Sequence, residues 1–192
     1  MIRALYNWTI RLAEHPKALW ALAGVSFTES SFFPIPPDVL MIPMVIARPS
    51  RAWVIATVAL IFSVLGGLFG YFIGAVLFES IGQPILDFYG KAEAGEKFAD
   101  HFNSYGAWAV LIAGVTPFPF KVITILSGWT GLSLPIFIVS AIVARALRFF
   151  IVAGLLWKFG PPVREFIERR LGLMFTIGMV LLLGGFAAVK WL

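Results

Sequence analysis

Long apolar runs, separated by short polar clusters, dominate the pattern along this chain. A helix rises ~1.5 Å per residue, so about 20 apolar residues cross the ~30 Å hydrocarbon core of a bilayer. We predict transmembrane helices in the three longest runs, at residues 53–78, 135–157 and 171–189. Residues 2–13 instead separate apolar from polar side chains on different helical faces, so we predict an interfacial helix over residues 1–16.

Two other apolar regions carry prolines in their middles. Residues 18–47 contain the segment SFFPIPPD, and residues 107–129 contain TPFPFK. Proline excludes its predecessor from the α region and lacks an N–H, so neither region can cross as regular helix. The predicted turn-forming residues are Pro34, Pro36, Pro37, Pro117 and Pro119.

Each arm of these interrupted regions is short for a crossing, so a kinked crossing and a re-entrant hairpin both fit the first one. Basic residues lie on both of its sides: Arg3, Arg11 and Lys17 before it, Arg48 and Arg51 after it. Because basic residues favour the cytoplasmic side, both flanks are expected there. We therefore predict re-entrant hairpins at residues 18–47 and 107–129.

The stretch between the first crossing and the second hairpin is acidic. Residues 79–106 contain five acids and two lysines, which agrees with a location outside the cytoplasm. Phe98, Phe102 and Tyr105 share one helical face. We predict an amphipathic surface helix that ends at Gly106.

The two proline segments resemble one another. PIPPDV at residues 34–39 and PFPFKV at residues 117–122 both read P-x-P-x-charge-V, with opposite charges, and a long apolar run follows each. This order predicts an inverted repeat, an arrangement in which transporters bind ligands near the midplane. Non-helical backbone at membrane depth needs protein or water around it, so we expect the two turns to meet inside.

The composition is typical of a membrane protein rather than of a soluble domain. The 192 residues are 60% hydrophobic and 13% charged, with a mean hydropathy of +0.92. We predict an all-α polytopic membrane protein with a single domain over residues 1–192. The net charge is +5, but the basic residues cluster at the ends of apolar runs, so we expect no nucleic-acid partner.

The residue types for cofactor or catalytic chemistry are sparse. Cysteine is absent, and His15 and His101 are isolated, so we expect no metal site and no cofactor. No serine, histidine and acid lie at a plausible common depth for hydrolysis, so we expect no enzyme activity.

Five charged residues fall within the predicted membrane region: Glu29, Asp38, Lys121, Arg145 and Arg148. An arginine near a helix centre costs about 2.5 to 3.5 kcal/mol on insertion scales, so both arginines need partners. The two acids can pair with them, and one positive charge then remains. A phosphate would suit that surplus because guanidinium groups bind phosphate bidentately. The alternative is an ion-pair network that only holds the hairpins to the crossing helix.

Three glycines, Gly66, Gly70 and Gly74, lie on one face of the first crossing. This spacing indicates close helix packing, with a role in gating as the alternative.

The segments ESSFFPIPPD at residues 29–38, GVTPFPFK at 114–121 and Ser127-Gly128 resemble the DedA family of bacterial inner-membrane proteins. The resemblance covers residues 18–160 and is closest to the YqaA branch; the related eukaryotic domain is called SNARE-associated or VTT. It implies two opposed re-entrant hairpins and movement of phospholipids or polyprenyl phosphates across the inner membrane, often linked to the proton motive force.

By position, Glu29 and Asp38 look like the membrane acids of that family, and Arg145 and Arg148 like its arginines. The chain departs from the family at Lys121, where many members have arginine. It also departs in the first motif, which ends in Pro-Pro-Asp rather than Pro-Gly-Glu. Lysine has no bidentate fork, which weakens the analogy at this position.

The leading hypothesis is a lipid translocator in which the two turns and Arg145 bind a lipid phosphate near the midplane. Glu29 and Asp38 would exchange protons, or pair with the arginines when the headgroup is absent. The alternatives are a proton-coupled exporter or antiporter of small solutes and a non-transporting membrane scaffold. Membrane lipids are the expected partners, and a homo-oligomer is compatible with the pattern.

Overall fold

The computed structural model describes residues 15, 17–33, 35–90, 92–116 and 118–169. All regular structure in these ranges is helical, which confirms the all-α prediction for them. The predicted crossing at residues 171–189 lies outside the described residues. So does the predicted interfacial helix, apart from His15.

The described part of the chain contains seven α-helices and two short helical turns of other types. They are α1 Ala18–Ser31, α2 Asp38–Ala47, a 3-10 turn Pro49–Arg51, α3 Ala52–Leu77, a π-helical turn Phe78–Gly82, α4 Gln83–Phe88, α5 Ala92–Val115, α6 Phe120–Trp129 and α7 Leu134–Arg169.

Within the described ranges, two helical stretches are long and apolar enough to span a membrane. They are Pro49–Phe88, with a mean hydropathy of 2.3, and Leu134–Gly160, with 2.2. Both contain a run for which the sequence predicts a crossing, at residues 53–78 and 135–157. The helix of the second run continues to Arg169, beyond its apolar part.

Both predicted interruptions are present. Between α1 and α2 the backbone leaves the helical conformation, and Pro36 and Pro37 lie in this turn. Pro119 has extended backbone with ψ 104° and immediately precedes α6. Proline fits there because the first residues of a helix need no backbone N–H partner. Pro34 and Pro117 lie outside the described residues.

The prediction that a surface helix ends at Gly106 is wrong. Helix α5 passes through this residue without a break, and Gly106 lacks the positive φ of a left-handed cap. Gly106 is buried, and a Cβ atom there would overlap the side chain of Leu132. The glycine therefore serves close packing, and the predicted boundary between residues 79–106 and 107–129 falls inside one helix.

The two long helices α3 and α7 pack against each other, and the shorter helices pack around them. Helices α1 and α6 lie on α3, whereas α2 and α5 lie on α7. One apolar cluster includes Leu22, Val45 and Phe149, and a second includes Val110 and Phe120. Each cluster thus combines residues from distant parts of the sequence.

The glycines of α3 allow backbones to approach closely, as the sequence predicted. A Cβ atom on Gly66 would overlap the backbone carbonyl of Phe27 in α1, and one on Gly74 would overlap that of Ile125 in α6. Helix α3 is therefore in close backbone contact with both α1 and α6.

Candidate functional site

Arg145 lies in α7 and makes three hydrogen bonds to residues of two other helices. Its Nε donates to the Ser63 hydroxyl of α3 at 2.6 Å. One terminal nitrogen donates to Glu29 Oε2 of α1 at 2.6 Å and to the Ser30 hydroxyl at 3.3 Å. The predicted pairing of a membrane arginine with Glu29 is thereby confirmed.

Aromatic rings cover the same guanidinium. Its central carbon lies 4.6 Å from the ring centroid of Phe120 and 4.8 Å from that of Phe149. These rings belong to the two apolar clusters, so Arg145 joins the clusters through cation–π contacts. Only 2% of the Arg145 side chain and 11% of the Glu29 side chain are exposed. This pair is sealed inside the protein.

Small hydroxyl residues, which the sequence analysis did not single out, extend the network around this pair. The hydroxyls of Ser30 and Ser63 lie 2.7 Å apart. Thr124 of α6 donates its hydroxyl to the backbone carbonyl of Ser30 at 3.0 Å, and Ser31 donates to the carbonyl of Gly66 at 2.9 Å. The signal that could have revealed them is spacing, because Ser63 precedes the glycines of α3 on the same face.

Arg148, one turn further along α7, contacts both interruptions. One terminal nitrogen donates to Asp38 Oδ2, at the first residue of α2, at 2.6 Å. The other donates to the carbonyl of Thr116, the residue that follows α5, at 2.6 Å. The sequence expectation that the two turns meet inside is supported by this one side chain, which hydrogen-bonds to a residue beside each.

The Asp38/Arg148 pair is more accessible than the Glu29/Arg145 pair. The exposed fractions of its two side chains are 18% and 19%. The Arg148 Nε atom is buried, and no described residue accepts a hydrogen bond from it. Arg148 therefore has a donor that the described part of the protein leaves unused.

Lys121 is the second residue of α6 and is half-buried. Among the residues that the structure describes, none forms an ion pair with its ammonium group. The five residues predicted for the site thus comprise two carboxylates, each paired with an arginine, and Lys121, which has no carboxylate partner in the described ranges. No hydrogen bond or ion pair between described residues joins the Lys121 side chain to Asp38 or Arg148, so the structure brings four of the five residues together, as two pairs.

Large apolar side chains beside Asp38 are exposed. They are Phe32, Phe33, Ile35 and Val39, in the first turn and at the start of α2. In a membrane such side chains contact lipid, because exposure to hydrocarbon costs them nothing. The accessible ion pair therefore lies next to an apolar surface.

A cavity of about 420 Å³ opens elsewhere, between the π-helical turn, α4, α5 and the end of α6. Its described lining includes Glu79, Asp87, Glu96 and Trp129. None of the charged residues predicted for the site lines it, so it is separate from the charged centre.

Comparisons with known proteins identify relatives of this chain. The family model of the VTT domain matches residues 35–158. An uncharacterized protein of Haemophilus influenzae is 37% identical over 168 residues, which cover 85% of this chain and 87% of the relative. A homologous uncharacterized protein of Histophilus somni is 38% identical over the same shares.

A more distant relative carries a membrane description. An uncharacterized membrane protein of Mycobacterium leprae is 27% identical over 144 residues, which cover 65% of this chain and 57% of the relative. No solved structure matches the chain significantly.

Proposed function

Because this chain belongs to the DedA family of VTT-domain membrane proteins, we propose that it translocates a phosphate-bearing lipid across the bacterial inner membrane. The lipid is a polyprenyl phosphate carrier or a phospholipid, and it moves without covalent chemistry, so the protein is not an enzyme. In this proposal Arg148, Lys121 and Asp38 form the binding site.

The observation that carries the proposal is the position of Arg148 between the two interruptions. Its hydrogen bonds to Asp38 and to the Thr116 carbonyl place a cation where both broken segments come together. Among the described residues, none accepts a hydrogen bond from Arg148 Nε and none forms an ion pair with Lys121, which supports a capacity for an anion. A phosphate fits because it offers several strong acceptor oxygens to a guanidinium.

The local helix geometry supports an anionic ligand. Helices α2 and α6 have ten residues each, and both begin at the interruptions, with Asp38 and Phe120 as their first residues. The amino end of a helix carries a partial positive charge, and half-helices of transporters use it to bind anionic groups at the midplane.

The exposed apolar surface favours a lipid over a small solute. Phe32 and Val39, with 56% and 54% of their surface exposed, flank the turn that leads to Asp38. A phosphate held at Arg148 can keep its hydrocarbon chain against such residues, in contact with the bilayer. Exposed apolar side chains also occur along α3, α5 and α7, so the support lies in the position of these residues next to Asp38.

The packing of the helices supports an inverted repeat of two re-entrant hairpins in a multi-pass protein. In the first unit, α1 packs on the long helix α3 of its own unit and α2 packs on α7 of the other. In the second unit, α5 packs on its own α7 and α6 packs on α3. In both units, therefore, the first helix packs on the long helix of its own unit and the second packs on the long helix of the other unit, as a repeat requires.

Arg145, which the sequence analysis expected to bind the phosphate, is left out of the proposed site. Its guanidinium already has hydrogen bonds to Glu29 and Ser63 and contacts with two phenyl rings, at 2% exposure. Asp38 is the more accessible of the two carboxylates, so the proposed site includes Asp38 and not Glu29.

The proposal is tested by flux in proteoliposomes that contain the full-length protein. Labelled polyprenyl phosphate should cross at a rate that Arg148→Met lowers about tenfold or more, because a hydrogen-bonded charge is lost. Lys97→Met is the matched control, since the described partner of Lys97 is Glu93, in a surface pair with 74% and 80% exposure.

Two results would contradict the proposal. One is wild-type protein that moves labelled phosphate lipid no faster than empty liposomes while it moves small cations. The other is an Arg148→Met variant, correctly inserted and folded, that keeps the wild-type rate. The first result would favour the small-solute exporter, and the second would remove Arg148 from the lipid-binding site.

A further inference from the structure

We infer that the two ion pairs have different roles: Glu29/Arg145 is a fixed pin, and Asp38/Arg148 is a latch that the ligand's phosphate opens by displacing Asp38. This inference rests on the proposed function, because it specifies how the phosphate enters the same site.

The pin stays closed because both of its charges have partners inside the protein. Arg145 combines the Glu29 carboxylate, the Ser63 hydroxyl and two aromatic rings, and its side chain is 2% exposed. Separation of the pair would leave an uncompensated charge in a dry interior, which is far more costly than the intact pair. An incoming phosphate would also have to displace Phe120 or Phe149.

Phosphate can replace Asp38 in the latch because the ion pair is partly exposed and Arg148 has N–H donors that neither Asp38 nor Thr116 uses. Guanidinium groups have five N–H donors, and Arg148 uses two of its nitrogens, for Asp38 and the Thr116 carbonyl. A phosphate oxygen can therefore bind Arg148 before Asp38 leaves, so the exchange does not pass through a bare charge. About a fifth of each side chain is exposed, which gives the anion access.

Opening of the latch has a structural consequence. The Asp38/Arg148 bond ties the first residue of α2 to α7, while the Thr116 bond holds the end of α5 to the same arginine. When a phosphate replaces Asp38, the start of α2 loses this tie, whereas the pin still holds α1 to α3 and α7. The ligand would thus release one arm of the first interrupted region and leave the other in place.

Competition between Asp38 and phosphate for Arg148 predicts a different result from a purely structural role of the Asp38/Arg148 pair. Asp38→Asn removes the competitor and keeps Arg148, so phosphate binding should become tighter. The matched change Glu29→Gln removes the carboxylate of the pin and should leave the affinity unchanged. If the Asp38/Arg148 pair only stabilised the fold, Asp38→Asn would weaken binding or leave it unchanged.

The experiment measures binding of farnesyl phosphate to the purified full-length protein in detergent, with farnesol as the uncharged comparison. We expect Asp38→Asn to lower the Kd about fivefold, the effect of removing a partly exposed ion-pair partner. Glu29→Gln should stay within about twofold of wild type on the same scale. Arg148→Met should raise the Kd about tenfold or more.

If Glu29→Gln does not fold, the double variant Glu29→Gln with Arg145→Met replaces it, since it leaves no unpaired charge and methionine packs well against phenyl rings. The inference is overturned if Asp38→Asn fails to tighten binding, or if the pin variant changes the affinity as much as the latch variant does. Failure of the proposed function gives a different result, namely wild-type protein that binds farnesyl phosphate no better than farnesol.

Discussion

Glu29 and Arg145 are joined by a 2.6 Å hydrogen bond across 116 residues of sequence, between α1 and α7. Because both side chains are almost fully buried, loss of one partner leaves a charge without compensation. We expect Arg145→Met alone and Glu29→Gln alone each to destabilise the protein by about 3 kcal/mol. The double variant should be much closer to wild type.

This double-mutant cycle is measured by unfolding of the purified protein in detergent, and strong non-additivity is the expected result. The surface pair Glu93 and Lys97 serves as the control, because its cycle should give a coupling of at most about 1 kcal/mol. Additive losses in the buried pair would show that the two charges do not interact as the structure indicates.

In the proposed site Lys121 supplies the surplus positive charge, so we expect its removal to weaken ligand binding without loss of stability. We expect Lys121→Ala to slow lipid flux about tenfold, whereas Lys121→Arg should retain or raise the rate because a guanidinium adds a bidentate fork. Flux in proteoliposomes and thermal unfolding are measured on the same preparations. A Lys121→Ala variant with the wild-type rate would remove this residue from the proposed site.

The sequence was sufficient to predict the parts of the fold that depend on local chemistry. Prolines at positions 36, 37 and 119 determine where helices start, because the missing N–H and the fixed φ act on neighbouring residues only. The lengths of the apolar runs at 53–78 and 135–157 predicted two long helices for the same reason. The need of buried arginines for carboxylate partners also follows from residue type.

What depends on packing was not predictable. Gly106 has the residue type of a helix end, but its neighbour Leu132 lies 26 positions away, and only the folded structure shows that contact. Which acid pairs with which arginine also requires the relative position of α1, α2 and α7. The roles of Ser63 and Thr124 were missed because hydroxyl residues are common in helices and their partners here lie on other helices.

Loss of the Ser63 hydroxyl should lower the free energy of unfolding by more than the small size of this side chain suggests. Its hydroxyl accepts a hydrogen bond from Arg145 Nε and contacts the hydroxyl of Ser30, so Ser63→Ala leaves a buried charged donor unpaired. We expect a loss of about 1 to 3 kcal/mol in unfolding free energy. Ser80→Ala is the control, because the exposed Ser80 hydroxyl, in the π-helical turn, donates to the carbonyl of Val76 at the end of α3 and to no other described residue. Equal effects at both serines would contradict a specific role for Ser63.

Two glycine positions can distinguish the effect of close helix packing on stability from the effect of the low helix propensity of glycine. Gly66→Ala should destabilise the protein by more than about 2 kcal/mol, because its Cβ would collide with the backbone of Phe27. Gly24→Ala is the matched control: apart from its chain neighbours and the nearby backbone of its own helix, no described residue has a heavy atom within 4 Å of its Cβ position, so alanine should be neutral or slightly stabilising. Unfolding of both variants in detergent measures the difference. A Gly66→Ala variant as stable as Gly24→Ala would refute the close contact between α1 and α3.

The proposed re-entrant hairpin places both ends of residues 18–47 on one side of the membrane, whereas a kinked crossing places them on opposite sides. The chain contains no cysteine, so single cysteines can report topology without removal of native thiols. We expect Lys17→Cys and Ser50→Cys, both at exposed positions, to react with a membrane-impermeant thiol reagent only from the cytoplasmic side. Glu93→Cys, in the acidic outer stretch, should react from the opposite side. Labelling of Lys17→Cys and Ser50→Cys from opposite sides would establish the kinked crossing and exclude the hairpin.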